Sequence, residues 1–313
     1  MMALPEAVVL FGASGFVGRN IADALAGQVA MLVGVTGAAL AVPGCTHVTV
    51  MSERHTLPTL PNDTVAIHVA AYRYDAARFD LAQSDIVRHN SQLNADVYHF
   101  CAERGIKEMR LASSVAVYPA DLAIMDDAVR VDLNLPPHTG EAAYGWSKRW
   151  AEILADLYAA RFGINTVVFR LSNPYGPYDS INSAKAHVAP AFVMKALNAS
   201  GVFEIRGDAT VERDFTYVGD VVQAFERSLS WRGRNETFNV CTGKTTTLQA
   251  LAETVMRVAH VDKPIQTGVP GAFGPARRFS TSTRIQTAMN LKFATLESGM
   301  APTLAWYRDA LAR

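Results

Sequence analysis

Five apolar residues, Ala7-Val8-Val9-Leu10-Phe11, lead directly into Gly12-Ala13-Ser14-Gly15-Phe16-Val17-Gly18, after which apolar and polar positions alternate with a helical period. The run over 8–11 and later runs at 30–35, 48–50, 65–69, 108–112 and 166–170 read as strands. Helical patterns lie between most of them, at 16–26, 84–104 and 141–162. Such alternation predicts an α/β fold, a doubly wound parallel sheet covered by helices on both faces with right-handed crossovers. The unbroken apolar character of Val8-Val9-Leu10-Phe11 suits a strand buried on both sides. Between 35 and 48 the chain is short and ends in Pro43-Gly44, so a crossover helix barely fits and this corner of the sheet is expected to be trimmed.

After Asn173-Pro174-Tyr175-Gly176-Pro177 the texture changes. Loops lengthen, helical patterns fall at 188–199, 221–231 and 248–259, and 215–218 and 238–240 read as further strands. This half is expected to form a smaller lobe whose chain returns at least once to the large sheet. Half of the 313 residues are hydrophobic and 19% are charged, enough for a large core in more than one lobe. The formal net charge is zero, so no broad field for nucleic acid is implied. Cys45, Cys101 and Cys241 are odd in number and far apart, which indicates neither a disulfide framework nor a zinc site, and no clustered carboxylates suggest another metal. The first residues lack the basic flank and apolar stretch of a secretory signal, and no window approaches the roughly 20 apolar residues of a membrane span. A cytoplasmic protein is expected.

The glycines carry the first chemical meaning. Gly12 lets the chain turn sharply after the strand, Gly15 lets backbone approach a pyrophosphate, and Gly18 lets the next helix pack close to the sheet. The helix start at Phe16 and Val17 then offers free N–H groups to phosphate oxygens. A strand before and a helix after are the context that makes this pattern a dinucleotide site, and the sheet a Rossmann-type one. The expected division is a dinucleotide-binding domain over 1–173 plus about 214–240, and a substrate lobe over about 174–213 plus 241–313. The second strand ends Val35-Thr36-Gly37 with no acid for the adenosine ribose beside Thr36, and without that carboxylate a 2′-phosphate is not repelled. This tilts the cofactor toward NADP(H), with NAD(H) as the alternative; the nearest later guanidinium is Arg54. In His68-Val69-Ala70-Ala71 the small residues Ala70 and Ala71 are expected to line the cofactor, and His68 to be packed and hydrogen-bonded.

Tyr144 and Lys148 stand four apart, on one face of a helix. A tyrosine titrates near pH 10, and a neighbouring ammonium favours its phenolate, which suits acid–base work. Lys148 would also hydrogen-bond the nicotinamide ribose. Ser114 closes the fifth strand at the carboxyl edge, where doubly wound sheets bind ligands, and its hydroxyl would hold the substrate oxygen. Together these residues point to hydride transfer to or from a carbonyl.

These motifs resemble the extended short-chain dehydrogenase/reductase family, in particular its nucleotide-sugar epimerases, dehydratases and reductases. The likeness rests on Gly12 to Gly18, His68 to Ala71, Ser113 to Pro119, Tyr144 to Lys148, Arg170 to Pro177, and Arg213-Asp214-Phe215-Thr216-Tyr217-Val218-Gly219-Asp220. It implies that Arg213 reaches a substrate diphosphate and that Arg278 makes a second phosphate or ribose contact. Sugar 4,6-dehydratases carry an Asp-Glu pair after the serine; Val115-Ala116 stands here, which disfavours dehydration. Asn90-Ser91-Gln92-Leu93-Asn94 and the stretch Tyr175 to Phe192 most resemble GDP-fucose synthase-like 4-keto-6-deoxysugar reductases. That likeness puts Asn94 at the cofactor, Asn173, His187, Val188 and Lys195 at the substrate, and His187 among the catalytic residues as well. Its catalytic Cys is Ala116 here while His187 matches, so reduction is implied and epimerisation loses a partner. A 4-epimerase with retained NAD remains the alternative, and a non-catalytic dinucleotide sensor a third reading. A homodimer is also expected from pairing of the helices at 84–104 and 141–162, whose Val97, Phe100 and Cys101 face either a partner or the chain's own core.

Overall fold

The computed structural model describes residues 3–38, 40–72, 81–183, 186–198, 201–269 and 279–312. β1 (Ala7–Phe11) is buried along its whole length, as its apolar run requires. The glycine turn leads into α1 (Phe16–Leu25), and β2 (Met31–Thr36) returns parallel to β1. The short edge strand β3 (His47–Val50) pairs with β2, and among the described residues no helix joins the two. β4 (Thr64–His68) flanks the other side of β1. Then come α2 (Gln83–Glu103), β5 (Glu108–Ser114), α3 (Ala142–Phe162) and β6 (Asn165–Leu171).

The second half holds β7 (Pro174–Tyr175), α4 (Val188–Leu197), β8 (Phe203–Arg206), β9 (Glu212–Arg213), β10 (Thr216–Tyr217) and α5 (Val218–Ser228). β11 (Glu236–Val240) then rejoins the large sheet beside β6. β12 (Thr246–Thr247), α6 (Leu248–Ala259), β13 (Ile265–Val269), α7 (Thr283–Met289) and α8 (Leu296–Leu311) complete the chain. The large sheet is seven-stranded and parallel, in the order β11-β6-β5-β4-β1-β2-β3. Strand order reverses between β1 and β4, which opens a crevice at their carboxyl ends.

The two faces of the sheet follow from the two-residue period of a strand. Val8 and Leu10 pack with Ile21 of α1, Phe225 of α5 and Ile285 of α7. Val9 and Phe11 point the other way, toward Val97 and Phe100 of α2 and Leu154 of α3. Each such side chain contributes roughly 1.5–3 kcal/mol on burial, so both helix layers are held rigidly against the strand ends that frame the crevice. A separate core of Phe192, Phe203, Ile205, Leu251, Val255 and Leu304 binds α4, β8, α6 and α8 together.

Two expectations shift. The strand expected at 215–218 is the two-residue β10, which pairs with β7 outside the large sheet. The reason is the early start of α5 at Val218, where Asp220 in the first turn suits the positive helix end. The same helix stops at Ser228, and the buried Arg110 caps it by donating to the Ser228 carbonyl at 3.0 Å and the Trp231 carbonyl at 2.6 Å.

Candidate active site

A cavity of about 1090 Å³ opens at the carboxyl ends of β1, β4 and β5 and runs out under α4 and β8. At one end lies the glycine turn. Gly12 has φ +91°, and a Cβ there would stand 2.7 Å from the backbone of Ala70, so only glycine lets β1 pass so close to β4's extension. At Gly18 a Cβ would fall 2.0 Å from the Gly12 carbonyl oxygen, which is the close helix approach anticipated from the spacing. Gly15 differs. A Cβ there would meet only the Gly12 oxygen, at 3.3 Å, so the space in front of it is cavity. α1 starts at Gly15 without a side-chain cap and without an acid in its first turn, which leaves its N–H groups and its dipole for an anion. Phe16, Val17, Thr36, Ala70 and Ala71 line the same end. A dinucleotide fits this cradle.

Lysine, tyrosine and serine come together in the middle of the cavity. Lys148 is buried and donates to the Ala112 carbonyl at 2.9 Å; burial pushes its pKa down to about 8, against the pull of the Glu152 carboxylate. Its Nζ lies 5.7 Å from the centre of the half-buried Tyr144 ring. Gly145 brings this part of α3 against the turn after β5, since a Cβ there would sit 2.7 Å from the Ala116 carbonyl oxygen. Ser114 caps that turn by accepting from the Ala116 N–H at 3.1 Å, and its own O–H remains to donate into the cavity. Ala116 itself is buried and away from the cavity lining.

A second tier fixes α3. His68 is fully buried and its pKa is pushed down to about 4, so the ring is neutral and its Nε2–H donates to Asn94 Oδ1 at 2.9 Å. The Asn94 amide in turn donates to the Ser147 carbonyl at 3.3 Å. Asn94, anticipated as a cofactor contact, is therefore a strut between β4, α2 and α3 and does not line the cavity. The reason is its inward direction on α2, beside Val97 and Tyr98.

The outer end holds Asn173, Val188, His187 and Arg213. His187 is exposed at the start of α4. Arg213 donates to the Glu212 carbonyl at 2.7 Å, while its neighbour Asp214 is buried and accepts from Thr242 and Gly243, stapling β9 to the turn after β11. Lys195 is not brought here. Its ammonium turns the other way and donates to the Glu204 carbonyl at 2.6 Å. Arg278 lies outside the described residues. Arg54 donates to the Met51 carbonyl at 3.1 Å and lines a different crevice, with His55 and Arg104. Sequence reasoning missed Tyr72 and His89, stacked with ring centres 4.5 Å apart on the cavity wall, and Arg206 with Asp208 at the outer end. Arg206 carried a signal in the buried-exposed alternation of Phe203-Glu204-Ile205-Arg206. Among the described residues no group of three His, Cys, Asp or Glu could hold a metal, and no helix is long and apolar enough to cross a membrane.

Comparison with known proteins bears on this geometry. The profile of the NAD dependent epimerase/dehydratase family matches residues 8–241, from β1 to the end of β11. The chain belongs to that family. Among curated relatives, dTDP-4-dehydro-6-deoxy-D-allose reductase of Streptomyces bikiniensis is 29% identical over 252 residues, 79% of this chain and 75% of the relative. UDP-glucose 4-epimerase of Thermotoga maritima, solved with UDP-glucose, superposes with TM-score 0.83 at 21% identity, covering 97% of this chain and 99% of the other. RMD from Pseudomonas aeruginosa, solved with NADPH, superposes with TM-score 0.76 at 24% identity over 99% of this chain and all of the other. This member of the family is thus an NAD(P)-dependent enzyme of the nucleotide-sugar reductase and epimerase class.

Proposed function

We propose that this enzyme reduces the ketone of a nucleotide-diphosphate-linked 4-keto-6-deoxy sugar, with Tyr144 as the proton donor. The observation that carries the reading is the shared cavity, whose wall includes Ser114, Tyr144 and Lys148 together with the glycine cradle and Arg213. A nicotinamide dinucleotide, when bound, supplies the hydride. Ser114 holds the carbonyl oxygen with its O–H, and Tyr144 passes its phenolic proton to that oxygen as charge develops. Lys148 keeps the phenol acidic and offers its remaining N–H groups to the nicotinamide ribose. Arg213, a planar guanidinium at the outer end, suits a diphosphate, and His187 a sugar hydroxyl. The second half, built around α4, β8 and α6, is the substrate lobe in this reading, and the first half with β11 the dinucleotide domain.

NADP(H) is the favoured cofactor. Among the described residues lining the adenosine end, Thr36, Gly37 and Met51 bring no carboxylate to repel a 2′-phosphate. The buried methyl of Ala116 supplies no proton, so inversion beside the ketone by a Cys-His pair is not part of the proposal. A homodimer through α2 and α3 accompanies it, since Trp146, Trp150 and Leu157 form one exposed stripe of α3.

The test is to mix the purified protein with NADPH and a panel of nucleotide 4-keto-6-deoxy sugars and to follow the reduced nicotinamide absorbance. Loss of absorbance with one of them is expected. Protein that purifies with retained NAD and interconverts C4 epimers without consuming NADPH would be a 4-epimerase instead. A folded sample that does neither would return the chain to the sensor reading.

A further inference from the structure

We propose that Glu152 is a positioning residue for the Ser114-Tyr144-Lys148 trio, clamped by Ser113 and Arg170 one helical turn beyond Lys148 so as to tie the end of β5 to α3 and hold a carboxylate beside the ammonium. This role rests on the reductive reading of the cavity. The geometry is closely specified. Ser113 Oγ donates to Glu152 Oε1 at 2.6 Å, Arg170 Nε to the same oxygen at 3.0 Å, and Arg170 Nη2 to Oε2 at 2.7 Å. Bidentate and charge-assisted bonds of this kind are the strong ones, and they leave the carboxylate little freedom. Arg170 is itself fixed, donating to the Tyr118 hydroxyl at 2.9 Å with its cation 4.8 Å from that ring, and Tyr118 donates on to Asn239 at 2.9 Å.

Three successive residues at the end of β5 explain what the clamp does. The Ala112 carbonyl holds the Lys148 ammonium, the Ser113 hydroxyl holds Glu152, and Ser114 faces the cavity. Lys148 and Glu152 are four apart on α3 and so share a face. One carboxylate therefore fixes the strand that carries the serine relative to the helix that carries tyrosine and lysine. Its charge also favours the protonated form of Lys148. Of the other groups facing the ammonium, His68 on β4 is neutral, Tyr144 is on the same helix face, and Arg170 on β6 stands behind Glu152. Neither Ser113, Glu152 nor Arg170 belongs to the Ser-Tyr-Lys signature, and nothing in the chemistry of ketone reduction requires a carboxylate at this place. The clamp is thus a property of the scaffold that prepares the trio.

The test is competitive trace acetylation of the full-length protein with acetic anhydride across pH 6–11, with the Lys148 peptide read by mass spectrometry, since only the neutral amine reacts. For the wild type the midpoint is expected near 8. Glu152→Gln removes the charge but keeps the shape, and should lower the midpoint by about 1 unit. Glu152→Asp keeps the charge and should stay close to wild type. Glu152→Gln leaves Arg170 buried without its charged partner, which destabilises the fold. The double variant Glu152→Gln, Arg170→Gln avoids that stranded charge and should still lower the midpoint, by less. An unchanged midpoint in the folded single or double variant would overturn the proposal. Labelling needs no turnover, so a substrate panel without activity speaks against the proposed reaction and leaves this coupling to be judged on its own.

Discussion

A phenol at pH 7 is a poor acid unless a cation stands near it, and in the proposed reaction that cation is Lys148, whose Nζ lies 5.7 Å from the Tyr144 ring centre. Its pKa near 8 keeps the ammonium form in the majority at pH 7, and it is lost as pH rises through that value. Activity should therefore fall on the alkaline side with an apparent pKa near 8, a limb readable in kcat/KM between pH 6 and 10. Tyr144→Phe removes the proton but not the ring, so kcat should drop by about 10²–10⁴-fold while a fluorescence titration with NADPH stays the same. The glycines separate fold from function in a similar way. Gly15→Ala presses on one backbone oxygen of its own turn at 3.3 Å and should melt much closer to the wild type than Gly18→Ala, yet its methyl would project where the proposed pyrophosphate sits, weakening NADPH by more than about tenfold. Gly18→Ala, aimed at the Gly12 oxygen, should instead destabilise the fold. These single positions were the most legible in the sequence, because each has a chemical or steric demand that few residue types meet. Lys195 shows the limit. Its place on α4 is readable, but the direction of its amine depends on β8, whose Glu204 carbonyl captures it.

At the scale of elements, strands and helices of the first half follow from alternation of apolar runs, and α5 shows how the reading slips. Its boundary moves because Asp220 and Arg110 settle the two ends, and the Arg110 contact joins residues more than a hundred positions apart. The same holds for Asn94, whose sequence position suggested the cofactor but whose side chain braces His68 against α3. That brace has a pH signature. His68 keeps a neutral ring in the folded protein down to about 4, whereas in the unfolded chain it takes up its proton near the ordinary value of 6.5. Stability contributed by the neutral ring is present above about 6.5 and is lost as pH falls toward 4, by up to about 3 kcal/mol. Urea midpoints at pH 7 and pH 4.5 should diverge more for the wild type than for His68→Asn, in which no such proton is excluded.

Across the whole molecule, the sheet order places the β1–β4 reversal opposite α4 and β8, so one cavity reaches from the large sheet to the core that binds α4, β8, α6 and α8. A strand at 238–240 and a return to the large sheet were both expected from the sequence; the packing of α7 against the first core was not, because Ile285, Met289 and Leu291 find their partners only once the chain has doubled back. Val97, Phe100 and Cys101 face the chain's own core, so the exposed apolar residues of this helix pair include the α3 stripe and Val87 of α2. Trp146, Trp150 and Leu157 there are 45%, 39% and 54% exposed, so a dimer should bury them, and Trp150→Glu should convert a dimeric mass by light scattering into a monomeric one. Above all of these stands the transfer itself. NADPH carrying deuterium at the transferable position, turned over with the accepted keto-sugar nucleotide, should yield an alcohol with one deuterium at the former carbonyl carbon; a product free of deuterium while NADPH remains unconsumed would contradict the account.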